Sequence, residues 1–592
     1  MMASFVMMMK KIAVLLLILL FAVSCNAKMA HMKLLAVSED PDGFKGSLAD
    51  LYLEIKPGSG RVFIDTFPLT KVDTQISTRF AKEIACDYLD KDCSKMDFIY
   101  TIRSGSSIIG GPSAGVGLSV LTISLLSGLP MDETVTMTGT INSGGIVGNV
   151  GGVKEKIEAA AAGGITKALI PEGEQMSTLK DNSTLDLVKY GESLGIRVIP
   201  ISELDDAIYE FTGLITKKNV GDVDIDSDYE DTMKFLAEEL CKRSGELRDG
   251  LLDYDENSTV ETIAESGKNL TVLANQAYLS GKFYSSASFC FGANIRYGQA
   301  IFLQKNQTSD EVSAEIAKLH DDIVSFKSTV SRNEIKTITD LEAYMVVHER
   351  ISDAESYIRI LEDNMKKNDT NQSAYLLGYA TERLNSAYSW ANFLGKPGRE
   401  FSFDNESLMQ SCQIKISEVE ERVQYVRLFL PPFFGQADNP LNDAYRELGL
   451  KNYALCLFKA SKAKAETDVV LSVIGVDPSR IDSLLDKKLS AGKRVMVEQT
   501  AQDIFPILGY SYYEYANSLR EDDVNSALLY SEYALELSRM DMYFKKKTSI
   551  WSYLNVLDTG VFYVFMVGLF LGIGVGFLVM NQINRYVSKK KR

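Results

Sequence analysis

The chain has 592 residues, 46% of them hydrophobic and 24% charged, with a formal net charge of −16. That length exceeds a single core, so two or more domains are expected, and the composition excludes wholesale disorder. The acidic balance argues against nucleic acid as the main partner and is what a solvated acidic surface carries.

At the N-terminus, Lys10 and Lys11 precede an apolar run over 12–23, and Ser24-Cys25-Asn26-Ala27 follows. A basic start, a short apolar stretch and small residues make a secretory signal over 1–27, with cleavage expected after Ala27. A twelve-residue helix rises only about 18 Å, too little to span a bilayer. A lipoprotein site at Cys25 is disfavoured by Ala22, three places before it.

Residues 33–212 read as an α/β domain. Strands are expected over 60–68 and 97–103, where Phe98, Tyr100 and Ile102 alternate against Ile99 and Thr101. Gly111-Pro112-Ser113 then opens an apolar helix to about Ser127. Residues 133–142 read as one alternating strand, with Thr134, Thr136, Thr138 and Thr140 on one face and Val135, Met137 and Ile141 on the other. A Gly-rich turn over 144–152 leads into an Ala-rich helix that stops at Gly163-Gly164, and short strands at 167–171 and 197–201 finish the unit.

The chemistry of this domain is narrowed first by what it lacks. The three histidines are His31, His320 and His348, and none falls within 33–212, which excludes a Ser-His-Asp triad or a two-histidine zinc site in that span. Gly267-Lys268, Gly281-Lys282, Gly395-Lys396 and Gly492-Lys493 are followed by Asn, Phe, Pro and Arg, so no P-loop is present and no ATP, cofactor or metal is expected. What remains is Ser113 within GGPSAG (110–115). Small neighbours, Gly111 and Ala114 among them, allow close backbone approach to a substrate, and a helix N-terminus suits a developing oxyanion. A serine nucleophile needs a base, and a desolvated lysine is the substitute where histidine is absent. A tight turn with an N-cap serine is the blander reading, and GGPSAG by itself does not exclude it.

GPSAG with its apolar helix, MTGTI (137–141), GGVKEKIEAAAAGG (151–164) and KALIP (167–171) follow one another in order. Together they resemble the proteolytic domain of Lon proteases, over about 100 residues strongly and about 180 overall. The resemblance implies a catalytic dyad of Ser113 and Lys156, 43 residues apart. Helix geometry agrees with that choice of lysine. Lys154 and Lys156 lie about 200° apart around a helix, so only one can face the site. Lys156 shares the apolar face with Val153, Ile157 and Ala160, whereas Lys154 falls beside Glu158 in a solvated pair. Thr138, in the family's M-T-G element, is placed to hydrogen-bond the lysine, or is simply a strand threonine in a row of four. Two departures stand out. Gly110 occupies the position where many Lon-type domains carry an acidic residue, and the ATPase module usual in Lon enzymes is missing.

From 225 to 545 the character becomes mostly α-helical. The stretches 281–293, 449–466 and 523–537 share a small-and-aromatic pattern like the second helices of tetratricopeptide repeats, but without a strict period. A helical hairpin array and a plain helical bundle both fit. Beyond Cys25, six cysteines remain, enough for three disulfides in an oxidising compartment, with Cys86 and Cys93 the first pair expected. Sequons at Asn182, Asn257, Asn269, Asn306, Asn368, Asn371 and Asn405 fit the same placement.

Residues 561–580 carry no charge, which is the length of a transmembrane helix, and a basic tail over 581–592 follows. Lys545-Lys546-Lys547 weaken the charge asymmetry, so orientation rests mainly on the signal: the bulk of the chain outside the cytoplasm, the C-terminus inside. Gly568, Gly572 and Gly576 give the span a GxxxG face. The expectation is an ATP-independent serine endopeptidase acting on peptides or unfolded polypeptides, single-pass in the membrane, with a homo-oligomer implied by the resemblance. Two other readings remain: a non-catalytic Lon-like scaffold, which retention of both Ser113 and Lys156 counts against, and a protease that cuts only its own chain.

Overall fold

In the chain's computed structural model, a long antiparallel hairpin, β1 (Lys28–Asp40) and β2 (Gly43–Pro57), forms the middle of the first sheet. The residues described are 28–40, 43–67, 69–105, 111–142, 144–178, 183–215, 221–255, 258–305, 308–367, 373–429, 441–473, 476 and 478–547, and 568–585 without 570, 582 and 584. The expected signal at 1–27 and most of the tail at 581–592 lie outside them. Two units are distinguished: one runs to Arg399 and resumes over Phe403–Phe544, and the other joins Glu400–Ser402 to the residues from Lys545 onward.

In the first unit β3 (Val62–Phe67), α1 (Val72–Tyr88) and β4 (Met96–Ser104) follow the hairpin. Then come α2 (Gly115–Ser127), β5 (Val135–Met137) and a small hairpin of β6 (Thr140–Ile141) and β7 (Val147–Gly148). Next are α3 (Val153–Ala162), β8 (Lys167–Pro171), β9 (Met176–Thr178), β10 (Thr184–Asp186), α4 (Leu187–Ser193), β11 (Arg197–Ile201) and α5 (Leu204–Thr212). Seven strands pair in the order β11-β8-β5-β1-β2-β4-β3. The run β1, β5, β8, β11 is parallel, and so is the pair β3 and β4, while β2 is antiparallel to both its neighbours. This is the α/β domain that the alternating pattern predicts, with apolar cores on both faces. Phe80 and Ile84 of α1, Leu121 of α2 and Phe211 of α5 fill one. Val153 and Ile157 of α3 and Leu187 of α4 fill the other.

One local reading needs correction. Residues 133–142 do not form one strand: β5 ends at Met137 and β6 begins at Thr140. On the threonine face, Thr136, Thr138 and Thr140 are all buried, although their side chains are polar. The Thr136 hydroxyl donates to the Lys33 carbonyl at 2.7 Å, which explains how a polar side chain is tolerated between sheet and core.

The helical region comprises α6 (Ser227–Asp249), α7 (Thr259–Leu279), α8 (Phe283–Lys305), α9 (Ser309–Val330), α10 (Ile338–Lys366) and α11 (Ser373–Trp390). It continues through α12 (Asn405–Phe429), α13 (Asn442–Gly449), α14 (Tyr453–Val473), α15 (Ile481–Thr500), α16 (Ile507–Leu519) and α17 (Val524–Leu537). The three small-and-aromatic stretches fall on α8, α14 and α17, each the second helix of a closely connected pair. Small residues there let the paired helices approach. Disulfides join Cys86 to Cys93, Cys241 to Cys290 and Cys412 to Cys456. Of the sequons, Asn269 and Asn405 are exposed, and the other five lie outside the described residues.

No helix among the described residues is long and apolar enough to cross a membrane. The helical residues described between 568 and 585 are exposed, and residues 561–567 and 570 of the expected span lie outside the description. The expected membrane helix over 561–580 is thus described only in part, and the described residues by themselves do not support it.

Candidate active site

Helix α3 presents Lys156 inward. Its buried residues are Val153, Lys156, Ile157 and Ala160, the spacing of one helical face. Lys156 is only 1% exposed. Burial pulls its amine down from the usual 10.5 to about 7, against a smaller opposing pull from Glu174 and Glu155. Lys154 points the other way and pairs with Glu158 at 2.8 Å. That hydrogen bond, with the Glu158 charge, holds its amine above the ordinary value. One turn of helix thus carries two lysines with opposite electrostatics, and only Lys156 can be neutral near neutral pH.

Ser113 lies in a 3₁₀ turn, Pro112–Ala114, that runs into α2. The turn is entered through Gly111 at φ 95°, a backbone conformation L side chains rarely adopt. Ala114, and not Ser113, is the N-cap of α2, and no side chain caps that helix. The Ser113 hydroxyl is therefore not consumed as a cap, and the residue stays partly exposed at the end of an otherwise buried helix. Ala114 packs against the core beneath.

The break between β5 and β6 joins these two elements. The Gly139 amide donates to the Ser113 carbonyl at 2.9 Å, and the Val116 amide donates to the Gly139 carbonyl at 3.2 Å. Thr138 sits at the centre of this junction: its hydroxyl receives the Lys156 amine at 3.0 Å and reaches the Ser113 carbonyl at 3.4 Å. Ladder bonds that a continuous strand would make are spent here on holding the serine turn. Among the described hydrogen bonds, the Lys156 amine donates to Thr138 and not to the Ser113 hydroxyl.

Glu174 is the residue that sequence reasoning missed. It follows β8 in the turn after Pro171, and its carboxyl receives the Val150 amide from the loop before α3. Burial pushes that carboxyl up to about 7, with the Lys156 charge opposing the rise. Gly110, where many Lon-type domains carry an acidic residue, lies outside the described residues. No spacing rule singles out a glutamate eighteen residues past the lysine. The span 33–212 starts too late to include every histidine of the domain, because β1 begins at Lys28 and so carries His31. His31 bonds Asp50 at 2.9 Å and stacks on Tyr52. It lies three residues before Leu34, which is level with Met137, so it sits roughly 10 Å along the strand from the site.

The segment that carries this site is similar to known proteins. Residues 74–208 match the family model of the Lon protease (S16) C-terminal proteolytic domain. The chain is 36% identical over 150 residues to the Lon protease of Methanosphaera stadtmanae, covering 25% of this chain and 17% of that protein. It is 30% identical over 169 residues to the Lon protease of Rhizobium meliloti, covering 28% and 20%. Against the archaeal Lon protease of Archaeoglobus fulgidus it is 33% identical over 132 residues, covering 22% and 20%. The chain thus spans about a fifth of the length of the curated relatives it matches.

Proposed function

We propose that this chain, which carries a Lon-type, serine-peptidase proteolytic domain, is an endopeptidase using Ser113 as nucleophile and Lys156 as general base. The observation that carries the reading is the buried amine of Lys156, drawn down to about 7 so that a large share of it is neutral near neutral pH, and joined through Thr138 to the backbone of Ser113. In the substrate complex the neutral amine turns from Thr138 to the Ser113 hydroxyl, since catalytic hydrogen bonds often form only with substrate bound. The Ser113 oxygen attacks the peptide carbonyl while Lys156 takes its proton. Amides of the serine turn hold the oxyanion, and the leaving amine takes the proton back. Water then attacks the acyl-enzyme, giving one proton to Lys156, which passes it to the departing Ser113 oxygen and so restores both residues.

Unfolded polypeptides are the substrates that reach such a site without an unfolding motor, and no P-loop is present to drive one. The reading therefore extends to ATP-independent action outside the cytoplasm, tethered by residues 561–580 and self-associated. The paired cysteines support the compartment.

The test is labelling of the full chain in detergent by a fluorophosphonate probe, beside cleavage of an unfolded protein. Ser113→Ala and Lys156→Ala should each lower cleavage on the order of a thousandfold, with the double variant little worse, because the two act as one unit. Lys154→Ala should be mild. Equal losses at both lysines would mean the wrong base was chosen, and a wild-type chain that never labels would favour the scaffold.

A further inference from the structure

The hairpin of β6 and β7 lies between the two candidate catalytic residues in sequence, and the helical region grips it. Arg422 of α12 is 5% exposed and donates to the Ile141 carbonyl at 2.7 Å, while its Nε pairs with Asp468 of α14 at 3.2 Å. Ile141 in turn lies close to Gly115, the first residue of α2, where the serine turn ends. A Cβ built on Gly115 would stand 3.2 Å from the Ile141 side chain and 3.2 Å from the Ser77 hydroxyl. Ser77 donates to the Pro112 carbonyl at 3.5 Å. Ser77, Pro112, Ile141 and Arg422 line one narrow gap beside the serine.

A second arginine holds the far side of the hairpin. Arg494 of α15 donates to the Gly144 carbonyl at 2.7 Å and pairs with Glu203 at 3.0 Å. Ile146 packs on Ala491, Val495 and Leu535 of the helical region. A buried guanidinium is costly unless its donors are satisfied, and here part of that satisfaction is a backbone carbonyl beside the site.

We propose that Arg422 and Arg494 are positioning residues, fixing the hairpin so that Thr138, Lys156 and Ser113 keep their mutual geometry. The helical region is then a working part of the site. This rests on the reading of Ser113 and Lys156 given above. A displacement of about 1 Å between reacting groups can cost on the order of a hundredfold in rate, so loosening the hairpin is expected to show in chemistry.

The experiment compares full-length wild type with Arg422→Gln, Arg422→Lys, Arg494→Gln and a control, Lys493→Gln, which loses only an exposed pair with Asp222. Fluorophosphonate labelling rates are measured across pH on chains that melt cooperatively. Arg422→Gln should label on the order of tenfold more slowly or worse, with a shifted pH midpoint, and Arg422→Lys should recover part of the rate. Arg494→Gln should slow labelling less, and the control should match wild type. Wild-type rates and midpoints in both arginine variants would overturn the proposal, and if Arg422→Gln does not fold, Arg494→Gln decides it in the same way. Should wild type itself not label, the reading of Ser113 fails, and amide exchange over 144–148 decides the clamp separately. Faster exchange in Arg494→Gln supports it, and unchanged exchange overturns it.

Discussion

Lys156 and Glu174 titrate at about the same pH although one is a base and the other an acid, and both are moved there chiefly by burial. In the proposed mechanism the neutral amine is the active form, so labelling and cleavage should rise with pH through about 7 and then level off. An ionised Glu174 favours the charged amine. Glu174→Gln removes that pull, so the midpoint should move to lower pH in a pH-rate profile with chemistry limiting. A midpoint that stays put or moves up would show that Glu174 does not act on the lysine. The two groups also leave opposite marks on stability. Between about 7 and 10.5 the unfolded lysine holds a proton that the folded one has lost, so its contribution to stability rises with pH. Between 4.5 and about 7 the folded glutamic acid holds a proton that the unfolded one has lost, so its contribution falls as pH rises.

The placement of Lys156 depends on how α3 lies against the sheet. Strand β2 crosses α3 at Gly46, where an added Cβ would stand 1.9 Å from the Glu155 carbonyl, the residue before the lysine. Gly46→Ala must therefore move the helix or the strand. It should cost about 1–3 kcal/mol by denaturant unfolding, as overpacking does, and should slow labelling of Ser113 in the chains that remain folded. Unchanged unfolding would mean that the strand yields without disturbing the helix. The break in the strand at Thr138 and Gly139 works at the same scale. The Thr138 amide still donates to the Leu169 carbonyl of β8 at 3.0 Å, while Gly139 turns its amide and carbonyl to the serine turn, so one segment serves both.

Across the whole first unit, the helical region is held by buried charge as well as by apolar contact. Lys415 pairs with Glu418 at 2.9 Å and with Glu536 at 3.1 Å, and Lys464 pairs with Glu536 at 2.7 Å, with each side chain 4% exposed or less. Burial works against both cations, but the facing carboxylates outweigh it and keep the amines charged. Lys464 also stands 4.8 Å over the Phe80 ring of α1, so the network reaches the α/β domain. Glu536→Gln leaves two buried cations short of a countercharge and should cost about 3–5 kcal/mol in urea unfolding. A loss under about 1 kcal/mol would mean that water or a rearranged Glu418 replaces the missing charge.

The sequence by itself determined what lies within a few residues of reach. Helical spacing separated Lys156 from Lys154 because their faces are set by local geometry alone. The strands at 167–171 and 197–201, the apolar helix after Ser113 and the Cys86–Cys93 pair were legible for the same reason. Tertiary structure decided the rest. The alternation of 133–142 could not reveal a break whose cause is hydrogen bonding to the turn at Ser113. Glu174 meets Lys156 only because the turn after β8 lies against the loop before α3. Arg422 and Arg494 find carbonyls 281 and 350 residues away. Which buried donor meets which acceptor at such separations is settled by the packing of the entire chain, since periodicity fixes the face a residue shows but not what comes to cover it.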